Sequence, residues 1–193
     1  MKRLIPCLLL LPVFVTISFG EIVFDYTISD TYEGSVMLNS ESLLVTGAGA
    51  LQIDAKGESY IEVQGTDPLQ QFVGGIYTLD LDDFSILNYY DGETSLFTIY
   101  DDATATFSGG SINYISSFQD SDLIRHITFV ADLDSIDLTG NSLTGNWLDG
   151  SGFSVTLLDQ TGYDSVYSNI NFVPEPATIL LFGLGGLMLR RRK

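Results

Sequence analysis

Three observations predict an all-β protein. Apolar residues alternate with polar ones over short runs punctuated by Gly, Asp, Asn and Ser, which is the period of a strand with one buried face. No segment between residues 21 and 173 sustains helical spacing. A weak internal repeat is also present: LLVTG at 43–47 returns as IEVQG at 61–65, an offset of 18 residues, and FSGG at 107–110 carries the same ending. Short strands alternating with Gly turns at a period near 20 are what a short parallel β-helix or solenoid-like stack requires, because each coil buries its apolar face on the next. A β-sandwich or jelly roll, whose strands are also short and evenly spaced, is the alternative.

The strands follow in chain order. IVFDYTI at 22–28, LQI at 51–53, YIEV at 60–63 and IYTLDL at 76–81 carry the β-branched and aromatic side chains that fit a pleated, half-buried surface. LFTIY at 96–100, ATATF at 103–107, ITFV at 127–130 and FSVTL at 153–157 read the same way. The segments 49–53 and 75–79, each opening on Gly, read as return strands of the repeat. After about residue 120 the texture changes. LTGNWLDGSGF at 143–153 predicts two antiparallel strands around an Asp149-Gly150 turn that closes the stack.

The charge is distributed very unevenly. The 193 residues hold 25 acids and 8 bases, a net charge of −17, which excludes nucleic acid as a partner because no basic face can be assembled. A hydrophobic content of 45% argues against disorder. One Cys and one His leave no thiolate or imidazole metal cluster. Lys2 and Arg3 precede an apolar run, 4–17, interrupted by Pro6 and Pro12, with Ser18 and Gly20 in the minus-three and minus-one places. This is a secretory signal peptide, 1–20, an N-terminal signal helix cleaved after Gly20. Cys7 leaves with it, so the exported chain relies on its core and not on a disulfide.

At the other end Pro174, Glu175 and Pro176 precede an apolar segment, 177–189, and then Arg190, Arg191, Arg192 and Lys193. As a helix those 13 residues would span about 20 Å, short of the roughly 30 Å hydrocarbon layer. The terminal bases hold their end on the cytoplasmic side, and residues 21–173 lie outside. The order of these parts resembles the PEP-CTERM sorting signal, a tail that also carries the label of an ice-binding-protein C-terminal domain. The resemblance covers the segment 174–193. It implies a Gram-negative host and an exosortase-like membrane enzyme as processing partner. Pro174, Glu175 and Pro176 would then be the recognition residues, and Arg190, Arg191 and Arg192 the topology stop signal. It also implies a protein anchored in the inner membrane as a precursor, then released to the cell surface or extracellular matrix.

The exported segment, 21–173, holds 24 acids and two bases, Lys56 and Arg125, for a net charge of −22. Its carboxylates are the only plentiful reactive groups: Asp80, Asp82 and Asp83; Asp101 and Asp102; and Asp132, Asp134 and Asp137. An Asp/Glu pair would suit a small glycan-active hydrolase, whereas solvated charges at loops and strand edges are the simpler use. Asp80-Leu81-Asp82 and Asp132-Leu133-Asp134 alternate carboxylates as a calcium site does, but lack the Gly and terminal Glu of the twelve-residue loop. His126 reads as a surface or strand-end residue, since no Gly-x-Ser-x-Gly elbow accompanies it. Tyr89, Tyr90, Tyr100, Tyr114, Trp147, Tyr163 and Tyr167 are candidates for stacking on sugars, with core packing as the competing use. The expectation is an exported, non-enzymatic surface or matrix protein without cofactor, structural or exopolysaccharide-associated, with calcium and the acid-pair hydrolase left open.

Overall fold

The computed structural model describes residues 22–68, 75–119 and 125–174. The chain passes alternately between two sheets. One contains β1 (Tyr26–Ile28), β3 (Ser42–Val45), β5 (Tyr60–Val63), β7 (Ile86–Tyr89), β9 (Thr104–Phe107), β11 (Ile127–Val130) and β15 (Ile170–Val173), in that spatial order. The other contains β2 (Glu33–Asn39), β4 (Gly49–Lys56), β6 (Gly75–Leu81), β8 (Glu93–Tyr100) and β10 (Ser111–Phe118), followed in space by β14 (Gly152–Leu158), β13 (Ser142–Asn146) and β12 (Asp137–Thr139). All neighbours in the first sheet are parallel. So are β2 to β10 and β10 with β14 in the second. The antiparallel pairs β12–β13 and β13–β14 complete the second sheet, with the expected Asp149-Gly150 turn between the last two. Among the described residues the protein is all-β apart from two single 3-10 turns.

The sequence repeat is the register between coils. Leu43 pairs with Ile61 and Val45 with Val63, and the glycines that open the return strands, Gly49 and Gly75, lie side by side. Phe107 falls in the same row, through Val63, Tyr89 and Phe107. Parallel register sends every inward side chain onto its equivalent in the next coil, so the core is built from continuous rows. The row that starts at Ile28, Val45 and Val63 becomes aromatic at Tyr89, Phe107, Phe129 and Phe172. Successive ring centroids are 5.5, 5.5 and 5.9 Å apart. Such contacts add about 0.5–1.5 kcal/mol per pair beyond the area they bury.

The closing hairpin seals this row. Trp147 stacks on Phe129 at 5.3 Å and 14° and on Phe153 at 4.4 Å. Its indole Nε1 donates to the Gly110 carbonyl at 2.9 Å, so the buried ring leaves no polar atom unpaired. Trp147 and Tyr89 therefore belong to the core, whereas Tyr90, Tyr114, Tyr163 and Tyr167 are exposed.

The turns leaving the second sheet share one conformation. Ser40, Gly57, Asp83 and Asp101 all have φ between 47° and 65° at successive corners. Outside glycine, short polar side chains tolerate this left-handed region best, which gives the corner aspartates a local reason to be there. Buried serines brace the same corners: Ser85 Oγ donates to the Ala55 carbonyl at 2.9 Å and Ser59 Oγ to the Lys56 carbonyl at 2.5 Å. Of the expected terminal segments, the signal peptide with Gly20 and the hydrophobic tail lie outside the described residues. Among the described residues no helix is long and apolar enough to cross a membrane.

Coil contact is tightest where Gly49 meets Gly75. A Cβ on Gly49 would collide with the Gly75 carbonyl in a backbone conformation L residues rarely adopt, whereas one on Gly34 in β2 would meet nothing within 4 Å. Gly49→Ala is therefore expected to destabilise the fold by about 2 kcal/mol or more, while Gly34→Ala is neutral or stabilising by up to about 1 kcal/mol. Urea unfolding of the two variants checks the contrast, and equal midpoints would refute the close approach.

Candidate functional site

The corner aspartates and the last residues of β8 and β10 form one acidic, aromatic margin of the stack. Tyr100 and Phe118 are paired in register. Their rings stack at 4.8 Å and 12°, and Tyr163 meets Phe118 edge-on at 5.4 Å. Parallel stacking places each ring over its predecessor, so the flat ledge follows directly from the register. A cleft of about 450 Å³ opens beside it, bounded by Asp83, Phe84, Asp101, Asp102, Gln119 and His126 as well as Phe118 and Tyr163. A smaller recess of about 190 Å³ on the other side of Tyr100 is bounded by Asp54, Lys56, Asp80 and Asp82.

Asp54 and Asp80 are in-register neighbours on the outer face of the second sheet, a like-charge pair that costs stability on its own. Lys56 offsets it. Its Nζ lies 3.5 Å from Asp82 Oδ2, and Asp54 first, then Asp82, hold the ammonium above its usual pKa. Burial raises Asp80, partly offset by hydrogen bonds from Thr98 and Gln52. Asp82 lines the recess and Asp83 and Asp101 the larger cleft, and carboxylate oxygens of all three lie within 4.8 Å of one another. A hydrogen bond with Asp82 is the main reason Asp101 is raised above the ordinary carboxylate range, and burial and the charge on Asp82 add to it.

Three carboxylates are the kind of ligand a hard cation takes, but calcium requires six to eight oxygens, and this group supplies only part of such a shell. Of the expected alternation, Asp80 and Asp82 both line the recess, and only Asp82 also joins Asp83 and Asp101. Asp132 and Asp134 do not belong to such a group among the described residues. Asp132 instead caps its own 3-10 turn by accepting from the Asp134 amide. Asp82, Asp83 and Asp101 are thus the candidate acids that converge, and Asp132 serves local structure.

Two further residues border the cleft, His126, expected at a strand end or the surface, and Gln119. His126 is 8% exposed, so its place is the strand end and not the surface, where Nδ1 donates to the Ala103 carbonyl at 3.0 Å. Gln119, not singled out in the sequence, is 3% exposed and lies in the cleft wall. Its Nε2 donates to the Asp101 carbonyl at 2.5 Å and to the Ala103 carbonyl at 3.2 Å, which leaves Oε1 a buried acceptor with no partner. The one sequence signal for Phe118 is that it repeats Tyr100 at the offset of 18.

The sorting residues begin where the first sheet ends. β15 is held by Asn169, whose Nδ2 donates to Ser117 Oγ at 3.0 Å, and by Arg125, whose Nη1 donates to the Ile170 carbonyl at 3.0 Å. Ile170 is fully buried, Phe172 packs on Phe129, and the Ala131 amide donates to the Val173 carbonyl at 3.2 Å. Pro174 is half-buried and follows directly on the strand. Glu175, Pro176, Arg190, Arg191 and Arg192 lie outside the described residues.

Fold and tail together define an acidic, two-sheet β protein with a carboxyl-terminal sorting signal attached without a linker. Residues 172–193 match the family model described as the PEP-CTERM protein-sorting motif. The motif supports an exported protein that exosortase, a membrane enzyme, processes and that ends up on the cell surface. Comparison with curated proteins and with solved structures finds no match.

The raised proton affinity of Asp101 is open to direct measurement, because the carboxyl proton titrates. The native state holds it more tightly than the unfolded chain does, so its contribution to stability is present below the ordinary carboxylate pKa and is lost as pH rises through the raised one. Carboxyl-carbon NMR titration is expected to place Asp101 above Asp25 and Asp149, which hydrogen bonds from Ser42 and Ser151 respectively lower. Asp82→Asn should bring Asp101 down toward those two. An Asp101 midpoint unmoved by that substitution would refute the coupling.

Proposed function

We propose that this chain is a non-enzymatic component of the cell surface or extracellular matrix, delivered by its sorting tail and associated there with exopolysaccharide. The observation that carries this reading is the continuity of the sorting motif with the last strand of an acidic domain. The motif's first residues, Phe172 and Val173, are paired in the sheet, so the folded body is itself the cargo. Its exterior supports retention among polymers more than turnover: stacked rings, hydroxyls and many carboxylates, with two bases in the whole exported segment.

The hydrolase reading has one observation in its favour, the raised Asp101 beside Asp82, which resembles an acid kept protonated for catalysis. The geometry counts against it. Glycosidase carboxyls stand about 5–5.5 Å apart when the sugar is retained and about 6.5–9.5 Å when it is inverted. The carboxylate oxygens of Asp82 and Asp101 instead lie within 4.8 Å of each other, closer than either arrangement.

Cell fractionation with intact-mass measurement of the protein from its host tests the proposal. The mature form is expected in the surface or matrix fraction, without residues 1–20 and without Arg190 to Lys193. Replacing Pro174, Glu175 and Pro176 together by Ala should leave the uncut precursor in the inner membrane. A mature chain that keeps its four terminal bases refutes processing, and glycan cleavage abolished by Asp101→Asn refutes the non-enzymatic role.

A further inference from the structure

We propose that the cleft between the corner aspartates and the ring ledge binds the ammonium groups of an amino-sugar polymer, a glycan carrying free, not acetylated, amines. The proposal rests on the exopolysaccharide association above and names its chemistry. The first argument is supplied by the protein itself. Lys56 seats an ammonium against Asp82, among Asp54 and Asp80 and beside the ring of Tyr100. This shows what the margin accepts: an ammonium among carboxylates, in a recess with an aromatic ring in its wall.

One corner further along the stack the same elements recur without the cation. Asp83, Asp101 and Asp102 face a cleft of about 450 Å³ beside Phe118 and Tyr163. Among the described residues neither Lys nor Arg lines it. Between the two termini only Lys56 and Arg125 are basic; Lys56 is engaged in the recess and the Arg125 guanidinium donates to the Ile170 carbonyl.

The second argument is Gln119. Its side chain is almost fully buried in the cleft wall, its amide nitrogen is fixed on the carbonyls of Tyr100, Asp101 and Ala103, and its Oε1 is an acceptor with no partner. A buried acceptor left unpaired costs about 1–3 kcal/mol, which a donor from outside would remove. An ammonium is such a donor, and the carboxylate of a sugar acid is not. The net charge of −22 on the exported segment also repels polyuronates.

The third argument is spacing. Successive corners lie about 4.8 Å apart, the distance between neighbouring strands and close to the length of one pyranose unit. The two successive corners that carry aspartates, Asp83 and Asp101, therefore present carboxylates at about the spacing of neighbouring sugars, beside the ring ledge.

The test is titration calorimetry on the full-length protein in detergent, at mildly acidic pH with a chelator present, using glucosamine hexasaccharide, its fully N-acetylated counterpart and a uronic-acid hexasaccharide. The glucosamine hexamer is expected to bind with an affinity that falls steeply with salt. The acetylated hexamer should bind at least tenfold more weakly, and the uronate not at all. Asp83→Asn with Asp102→Asn should weaken glucosamine binding about tenfold or more, the loss expected for a charge-assisted contact, at an unchanged melting temperature. Asp134→Asn with Asp137→Asn, which removes two exposed charges elsewhere, should leave it unaltered. Lys56→Gln should strengthen binding by opening the recess to a second ammonium.

Equal affinity for the acetylated hexamer, equal losses from the two double variants, or binding that requires added calcium would each overturn the proposal. A surface-located protein that binds host glycan equally well with or without Asp83 and Asp102 overturns this site and leaves the surface role standing. A protein absent from the surface removes the role itself.

Discussion

Each coil depends on the coil laid upon it. A strand pair such as β5 with β4 cannot bury both neighbours' inward rows alone, so Ile61 and Val63 are covered only because Leu43 and Val45 lie on one side and Leu87 and Tyr89 on the other. Parallel register makes this mutual cover strict. A slip of one residue would turn every inward row outward, and the in-register glycines at 49 and 75 allow no compensating gap. Two ends of such a stack remain without a neighbour. At the far end the antiparallel hairpin, through Trp147 and Phe153, covers the aromatic row that a further coil would otherwise have had to bury.

The same register creates the acidic margin. Corners that repeat a left-handed residue at one place in each coil favour short polar side chains there, and the chain uses Ser40, Gly57, Asp83 and Asp101. Stacking then brings aspartates from separate turns within 4.8 Å of each other, although no local feature demands that proximity. This crowding of like charges helps raise the proton affinity of Asp101, and Lys56 on the neighbouring column partly offsets it. Backbone geometry thus supplies a charge pattern that surface chemistry can use.

The legible part of the sequence was the part that repeats. The pentapeptides at 43–47 and 61–65 contain the inward pair and the turn glycine, so their offset of 18 is the coil-to-coil register itself. β10 was harder to see because Ser116 and Ser117 interrupt its apolar run, although both are buried. β2 carries Gly34 and Ser35 and is mostly exposed at the edge of its sheet, so it lacks the alternation of a half-buried strand. At the margin, the aspartates could be named but not grouped, since convergence of Asp82 with Asp101 depends on which corners stack. Gln119 was invisible for a related reason: its role comes from the carbonyls of Asp101 and Ala103 one coil away.

The junction between fold and tail follows from backbone chemistry. β15 is an edge strand, and Phe172 extends the aromatic row to its last member. Pro174 has no amide hydrogen to give to a ladder, and Pro176 would again withhold one two residues on. The sheet therefore stops at Val173 for the same reason that the sorting residues are able to stand clear of it. No residue of the described core lies beyond Phe172, so a chain shortened within the Pro-Glu-Pro element keeps every packing contact of the described domain. Separation of cargo from signal requires no linker here, because the two prolines mark the boundary that a flexible segment would otherwise provide.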